Sequence, residues 1–311
     1  MDVLERLLLE CRGLTHAGAP SAALRDATSL FLKDVVASGA IPDAALGALG
    51  ELPVYGAGWL AVTFGSAVEA GVPPVAAEHL IALLRRWLPL LQDEDEAVTG
   101  AMNWLAPAVV AHVARRGEYR AELAMDGELM DALDGCAQAS DGALFIHALL
   151  LRRSGELMVL RAESGRALRL RFHNVAQCFH LFTLLQCAIG TGLPGGKEPS
   201  SLLDDAARHV RHSTEGDEAW WHYQTGGAEA HLGNSVWGEG HVDSLPRFDG
   251  VYVICLWPPV LGGRYWNAGF FGPGLSAAPT DMQVVEELSP SDAAAWFART
   301  GMGRHSSHSG S

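Results

Sequence analysis

The sequence predicts an α+β fold, an all-helical N-terminal region followed by an antiparallel-sheet α+β domain, and three observations predict it. Ala- and Leu-rich segments at helical spacing fill the first part of the chain, with no sustained alternation of period two. From about Gly142 onward, strand-like segments alternate with Gly-containing turns. At 311 residues the chain exceeds what one core ordinarily accommodates, which favours two domains. The expected division is 1–140 all-α, 141–302 α+β, and 303–311 a small, polar, mobile tail.

In the first region, Ser21 is placed to cap a helix over AALRDATSLFLKDVVAS, with Ala23, Leu24, Ala27, Leu30, Phe31 and Val35 on one stripe and Gly39 closing it. After Pro73-Pro74, VAAEHLIALLRRWLPLL turns Leu80, Leu83, Leu84, Trp87 and Leu91 inward and Arg85-Arg86 outward. The acidic DEDE at 93–96 suits the positive end of a helix dipole and so starts another helix. Pro107 is expected to kink the helix it begins.

The second region is expected to open with a meander built from ALFIHALLLRR and ELMVLRAESGRALRLRF, with AESG as the hairpin turn. Leu157, Val159, Leu168, Leu170 and Phe172 form one apolar face, and Arg161, Arg169 and Arg171 are assigned to the other. HNVAQCFHLFTLLQCAIG reads as a helix covering the sheet and ending at Gly190. SLLDDAARHVRH reads as a short helix, AWWHYQT, GVYVICLW and DMQVVEEL as strands, and SPSDAAAWFART as the last helix, started by Ser289.

Composition narrows the function classes. A formal charge of -14 repels phosphate backbones, so nucleic acid is not an expected partner. The first residues carry Asp2 and Glu5 rather than a basic n-region, and no long apolar run escapes a charge, Gly or Pro, so a cytoplasmic chain without a membrane span is expected. The five cysteines, Cys11, Cys136, Cys178, Cys187 and Cys255, form no CxxC pair and read as reduced, buried thiols. Gly195-Gly196-Lys197 lacks the GxxxxGK[ST] spacing, and no GxSxG elbow occurs; no cofactor is expected.

Two constellations depart from a plain globular background. Residues 151–172 hold Arg152, Arg153, Arg161, Arg166, Arg169 and Arg171 against Glu156 and Glu163, a basic hairpin in an acidic chain. Aromatic residues crowd the same half. Arg161, Arg169 and Arg171 with Trp220, Trp221 and Trp257 are therefore the candidate peptide-binding residues, able to join charge-assisted hydrogen bonds to backbone pairing. The plain alternatives are core packing for the tryptophans and neutralisation of the arginines by the acidic helical region.

The other constellation is histidine. His209, His212, His222 and His241 with Asp243, and His231 nearby, supply the ligand types of zinc or iron, and His209 and His212 stand one helical turn apart. No HExxH string accompanies them, and the downstream histidines that could complete an H-x-D triad, His305 and His308, fall in the tail. Solvated surface histidines are the preferred reading of them.

RALRLRFHNVAQCFHLFTLLQ and SVWGEGHVDSLPRFDGVYVICLWPP resemble the peptide-binding accessory proteins of ribosomal-peptide biosynthesis, of the crocagin type. The resemblance covers the second half of the chain. It implies a non-catalytic role, holding a precursor peptide by β-augmentation while other enzymes act on it. The leading expectation is thus a binding or accessory protein for a peptide or acidic segment. The alternative is a metal-dependent hydrolase or oxygenase using the His209 to His241 cluster, and a third reading is a homo-oligomer formed through the helical region.

Overall fold

The structure, a computed structural model, describes residues 1–16, 18–201, 204, 208, 215–216, 220–227, 229–260, 266–267 and 274–302. The chain divides into two compact units, Met1–Leu150 and Leu151–Ser311. The expected tail 303–311 lies outside the described residues, as do His209 and His212.

The first unit is helical: α1 Val3–Arg12, α2 Ala22–Ser38, α3 Asp43–Ala48, α4 Val54–Glu69, α5 Ala77–Gln92, α6 Glu96–Ala114, α7 Gly117–Ala124, α8 Gly127–Cys136 and α9 Asp141–Leu151. Local chemistry sets several of its starts. Ser21 Oγ accepts from Leu24 N at 3.0 Å, and Asp95 accepts from Ala97 N and Val98 N at 2.9 and 3.0 Å. The first is the expected cap of α2; the second turns the DEDE run into the start of α6.

The centre of this unit is the α4–α6 contact. Gly65 and Gly58 present no Cβ where α6 crosses, and a Cβ at Gly65 would stand 2.9 Å from Ala108 Cα. Leu60, Phe64, Met102, Leu105 and Val109 fill the space around that close approach. Among the described residues α6 is the one helix long and apolar enough to cross a membrane by length and composition, and 61% of that window is buried, as in a core helix.

Two expectations for this region are corrected. Pro107 does not begin a helix; it lies inside α6. The i−4 carbonyl it leaves without a donor belongs to Asn103, and both residues are exposed, so water satisfies it. ALFIHALLL is not a strand but α9. Ala143, Ile146, Leu149 and Leu150 recur at helical spacing on its buried side, and Ile146 is its only β-branched residue. The two units divide between Leu150 and Leu151, at the end of α9.

The second unit holds β1 Arg153–Arg161, β2 Arg166–Val175, α10 Cys178–Ile189, β3 Glu215–Gly216, β4 His222–Gln224, β5 Arg247–Phe248, β6 Val251–Trp257, β7 Trp266–Asn267, β8 Asp281–Glu287 and α11 Pro290–Thr300. Among the described residues the main sheet has six strands, ordered β4-β6-β1-β2-β8 with β5 on β6, and β3 pairs with β7 separately. The sheet is mixed rather than wholly antiparallel, because β1 and β6 run parallel. After β2 the chain leaves through α10 and a long connection and returns on the far side of β1, which allows a parallel pairing that a tight turn could not.

Each face of the sheet has its own core. Leu157, Val159, Leu168, Leu170, Phe172, Tyr252 and Ile254 join Leu181, Phe182 and Leu185 of α10. Met158, Leu160, Val253, Cys255 and Trp257 lie in a second cluster with Ala293 and Met302, against which Trp296 and Phe297 of α11 pack. The apolar face assigned to the hairpin is the α10 side. Of the proposed helix over SLLDDAARHVRH, only Ser201, Asp204 and Arg208 are described, and they are helical.

Candidate functional site

The hairpin register decides where each arginine stands. Leu157 pairs with Leu170 and Val159 with Leu168, while Glu156 pairs with Arg171 and Met158 with Arg169. Arg161 shares parity with Leu157 and Val159, so it does not join Arg169 and Arg171 as expected; it sits on the α10 side, 3% exposed. There it donates to Leu256 O at 2.9 Å, to Pro194 O at 3.1 Å and to Glu163 at 2.7 Å. Trp221 Nε1 donates to the same Pro194 carbonyl at 3.0 Å. The Gly195-Gly196 turn thus serves packing around Arg161 and Trp221.

The three tryptophans are interior. Trp220 and Trp221 precede β4 and meet edge to face at 5.5 Å, both buried in the α10-side core. They therefore do not alternate across a strand. Trp257 belongs to the α11-side core. The most exposed tryptophan described is Trp237, 57% accessible, in the loop whose Gly238 and Gly240 carbonyls accept from Phe179 N and Cys178 N at 2.7 and 2.8 Å and so cap α10.

The basic face of the hairpin is met by acids of its own unit. Arg166 makes a two-pronged pair with Glu287 at 2.6 and 2.9 Å, which holds the Glu287 carboxyl below the ordinary carboxylate range. Arg169 faces Glu286 at 3.4 Å and Arg171 faces Glu156 at 3.9 Å. Both glutamates that meet Arg166 and Arg169 come from β8. The positive charge read from the hairpin is thus matched across the sheet.

Because β8 pairs with β2 and β6 with β1, neither hairpin strand is an edge. The sheet ends at β4 and β8, and the two ends differ. Along the outer side of β4, Val236 N donates to Tyr223 O at 2.9 Å and Thr225 N to Asn234 O at 3.1 Å, so the 234–236 segment closes it. Among the described residues no strand pairs with the outer side of β8. Pairing steps from Arg169–Glu286 to Leu170–Val284, leaving Val285 as a bulge. Val284 and Val285 are 41% and 48% exposed.

At the start of β8 lies a pocket of 320 Å³ lined by Arg152, Arg208, Gly274, Leu275, Ser276 and residues 278–280. Arg152 is 4% exposed and donates to Ala278 O at 2.8 Å. Arg208 donates to Asp204 at 2.9 Å and to Asp281 at 3.0 Å. The sequence places Arg152 in the basic run of 151–172 and carries no signal for Arg208. The one signal in the sequence was Val284-Val285, an adjacent apolar pair that breaks the alternation of DMQVVEE.

The histidine constellation is not assembled among the described residues, where no group of three or more His, Cys, Asp or Glu is placed to hold a metal. His222 is buried in β4 with Nε2 3.2 Å from Ser235 Oγ, and His231 Nδ1 accepts from Gly233 N at 2.9 Å. His241 is exposed. Asp243 is gripped by Arg153 at 2.6 Å, Arg247 at 2.5 Å and Tyr252 Oη at 2.9 Å. Burial works to raise its carboxyl, but the Tyr252 hydrogen bond and the two arginines outweigh that and hold it low. Burial and then Asp243 push the Tyr252 phenol up to about 12.

None of the five cysteines forms a disulfide, and four of them are buried. Burial pushes Cys11 and Cys255 up to about 12, far from a reactive thiolate. What fold and site define is a two-unit α+β chain in which, among the described residues, no strand pairs with the outer side of β8, beside an arginine-lined pocket. No protein-family model, no curated protein and no solved structure matches the chain.

Proposed function

We propose that the unit from Leu151 is a non-catalytic peptide-holding module in which an extended segment adds as a further strand along the outer edge of β8. The observation that carries this reading is the contrast between the sheet's ends: β4 is closed by 234–236, and β8 shows no partner strand among the described residues. An edge strand offers a row of backbone donors and acceptors, which supplies affinity without sequence demands, and the exposed valines add apolar contact. The hairpin arginines are engaged with Glu156, Glu286 and Glu287, so their part is to hold β8 in place rather than to attract an acidic chain.

A second copy of the chain is disfavoured as the added strand. Antiparallel self-pairing centred on Val284 would set Asp281 opposite Glu287, like charge against like. A foreign segment remains, and a ribosomally made precursor peptide in the cytoplasm is the class to which the sequence resemblance points.

The test begins with peptides selected on the full chain from a random display library. Replacing Val284→Lys and Val285→Lys together, on an already exposed surface, should weaken capture at least about tenfold with the fold intact. Unchanged affinity in that variant, with capture abolished by Arg171→Glu, would place the site on the charged face of the hairpin and overturn the edge reading.

A further inference from the structure

We propose that Tyr55, Trp59 and Trp104, where α4 and α6 lie side by side in the helical unit, form a site for a methylated ammonium group. Tyr55 and Trp59 stand one turn apart on α4, and Trp104 reaches them from α6. The Trp104 ring centroid lies 6.3 Å from that of Tyr55 and 5.4 Å from that of Trp59, with the planes inclined at 71° and 89°. Rings set so steeply leave their faces free of mutual stacking and form the walls of a corner. All three residues are half-buried. Among the described residues the cations that lie over aromatic rings are Arg116 on Tyr119, Arg247 on Tyr252 and Arg299 on Trp296, and none lies over these three. The walls are fixed in advance. Trp59 Nε1 donates to Thr28 Oγ1 at 2.9 Å, and that hydroxyl donates to Leu24 O at 2.8 Å. A Cβ at Gly58 would stand 3.3 Å from Trp104 Cε3, so the glycine admits the indole against α4. A site held in place this way spends little on ordering when a ligand enters.

Charge and ring chemistry select the ligand class. Met1–Leu150 carries 9 Lys and Arg against 20 Asp and Glu, all of them among the described residues. The field of that unit draws cations and repels anions. Gly58 lies against Ala101 and Gly65 against Ala108, so α4 and α6 run parallel, and the acidic run 93–96 stands at the same end of the pair as Tyr55. An aromatic face attracts a cation through its quadrupole, most strongly for tryptophan. A primary ammonium keeps three N–H donors, which ring faces satisfy poorly; a trimethylammonium group has none to leave unpaired. Its source is either a free small molecule of the choline type or a trimethylated lysine side chain. The site lies within the helical unit and does not depend on strand addition to β8.

The test follows the indole Nε1–H resonances of Trp59 and Trp104 in the full chain at constant ionic strength, during titration with choline, with its uncharged carbon analogue 3,3-dimethylbutan-1-ol, and with acetyl-trimethyllysine methylamide. Choline or the trimethyllysine probe should shift both signals with a dissociation constant on the order of 1 mM, and the neutral alcohol should bind about tenfold more weakly, because it matches the shape without the charge. Tyr55→Leu, at a half-buried position, should weaken the cation about fivefold. Trp104→Phe keeps a ring against Gly58 while reducing the quadrupole, and should also weaken it. The tighter of the two charged probes assigns the source. No shift with either charged probe, equal affinity for the neutral alcohol, or full affinity in both variants overturns the proposal.

Discussion

In the helical unit, α4 and α6 meet where Gly58 and Gly65 remove side chains, so backbone comes close against backbone. In the α+β unit the same task falls to loops and charges: the Gly238–Gly240 carbonyls cap α10, Pro194 O takes donors from Arg161 and Trp221, and glutamates of β8 meet the arginines of β2. A unit closed by close approach should respond to volume and to buried charge. A unit closed by polar bonds should respond to the removal of partners, one bond at a time.

The largest expected effect lies in the first unit. Gly65→Val would drive a branched side chain into Ala108 and should cost about 3 kcal/mol or prevent folding, measured by urea denaturation. Gly47→Ala is its control, because nothing stands within 4 Å of a Cβ there; it should be neutral or stabilise by about 0.5 kcal/mol. If the two substitutions behave alike, the close approach of α4 and α6 is not what closes the helical unit.

His112 comes next. It is 0% exposed in α6, with Nδ1 2.9 Å from Ala108 O, and burial pulls its pKa from 6.5 down to about 4. The unfolded chain therefore binds more protons than the folded chain between those values. Stability should fall as pH drops from 6.5 to about 4, by about 3 kcal/mol from this group alone. Comparing His112→Leu with the parent across that window isolates the contribution, and an unchanged slope would contradict it.

In the second unit, Gly238→Ala would bring a Cβ within 2.3 Å of the Phe179 ring and lift the capping loop from α10, at a cost of about 2 kcal/mol. Asp243→Asn acts on charge. With Asp243 neutral, the arginines beside Tyr252 favour the phenolate, so its absorbance titration should move below the value of about 12 toward the ordinary range. The raised phenol also implies that stability in the parent declines as pH rises from 10 to about 12, because the unfolded chain ionises first. Smallest of all, Arg166→Gln breaks an exposed pair and should cost no more than about 1 kcal/mol.

The sequence was most legible where one local rule decided the outcome. Ser21, Gly39 and Ser289 marked helix ends by capping chemistry, and the stripe on α5 and the apolar hairpin face followed from periodicity. It misled where two rules competed. ALFIHALLL has the length and apolar character of either a strand or a helix segment, and its neighbouring turn residues favoured the wrong one. Charge argues for an exposed Arg161, but its parity with Leu157 and Val159 requires the buried side.

The edge itself was not legible at all. Whether a strand lies inside a sheet or at its border depends on which distant segments pair with it, and nothing in RALRLRF announces that DMQVVEE will cover it. The same pairing explains why the hairpin looks basic in the sequence: Glu287 and Glu286, which meet Arg166 and Arg169, lie more than a hundred residues away along the chain. A sequence-local charge count could not include them.

Hydrogen exchange of the full chain, with and without a peptide selected on it, tests the central claim most directly. The account predicts slowed exchange across Asp281–Glu287 when the peptide binds, with His222–Gln224 unchanged because that edge is already closed. Protection confined to residues outside β8, or appearing at β4 instead, would contradict it.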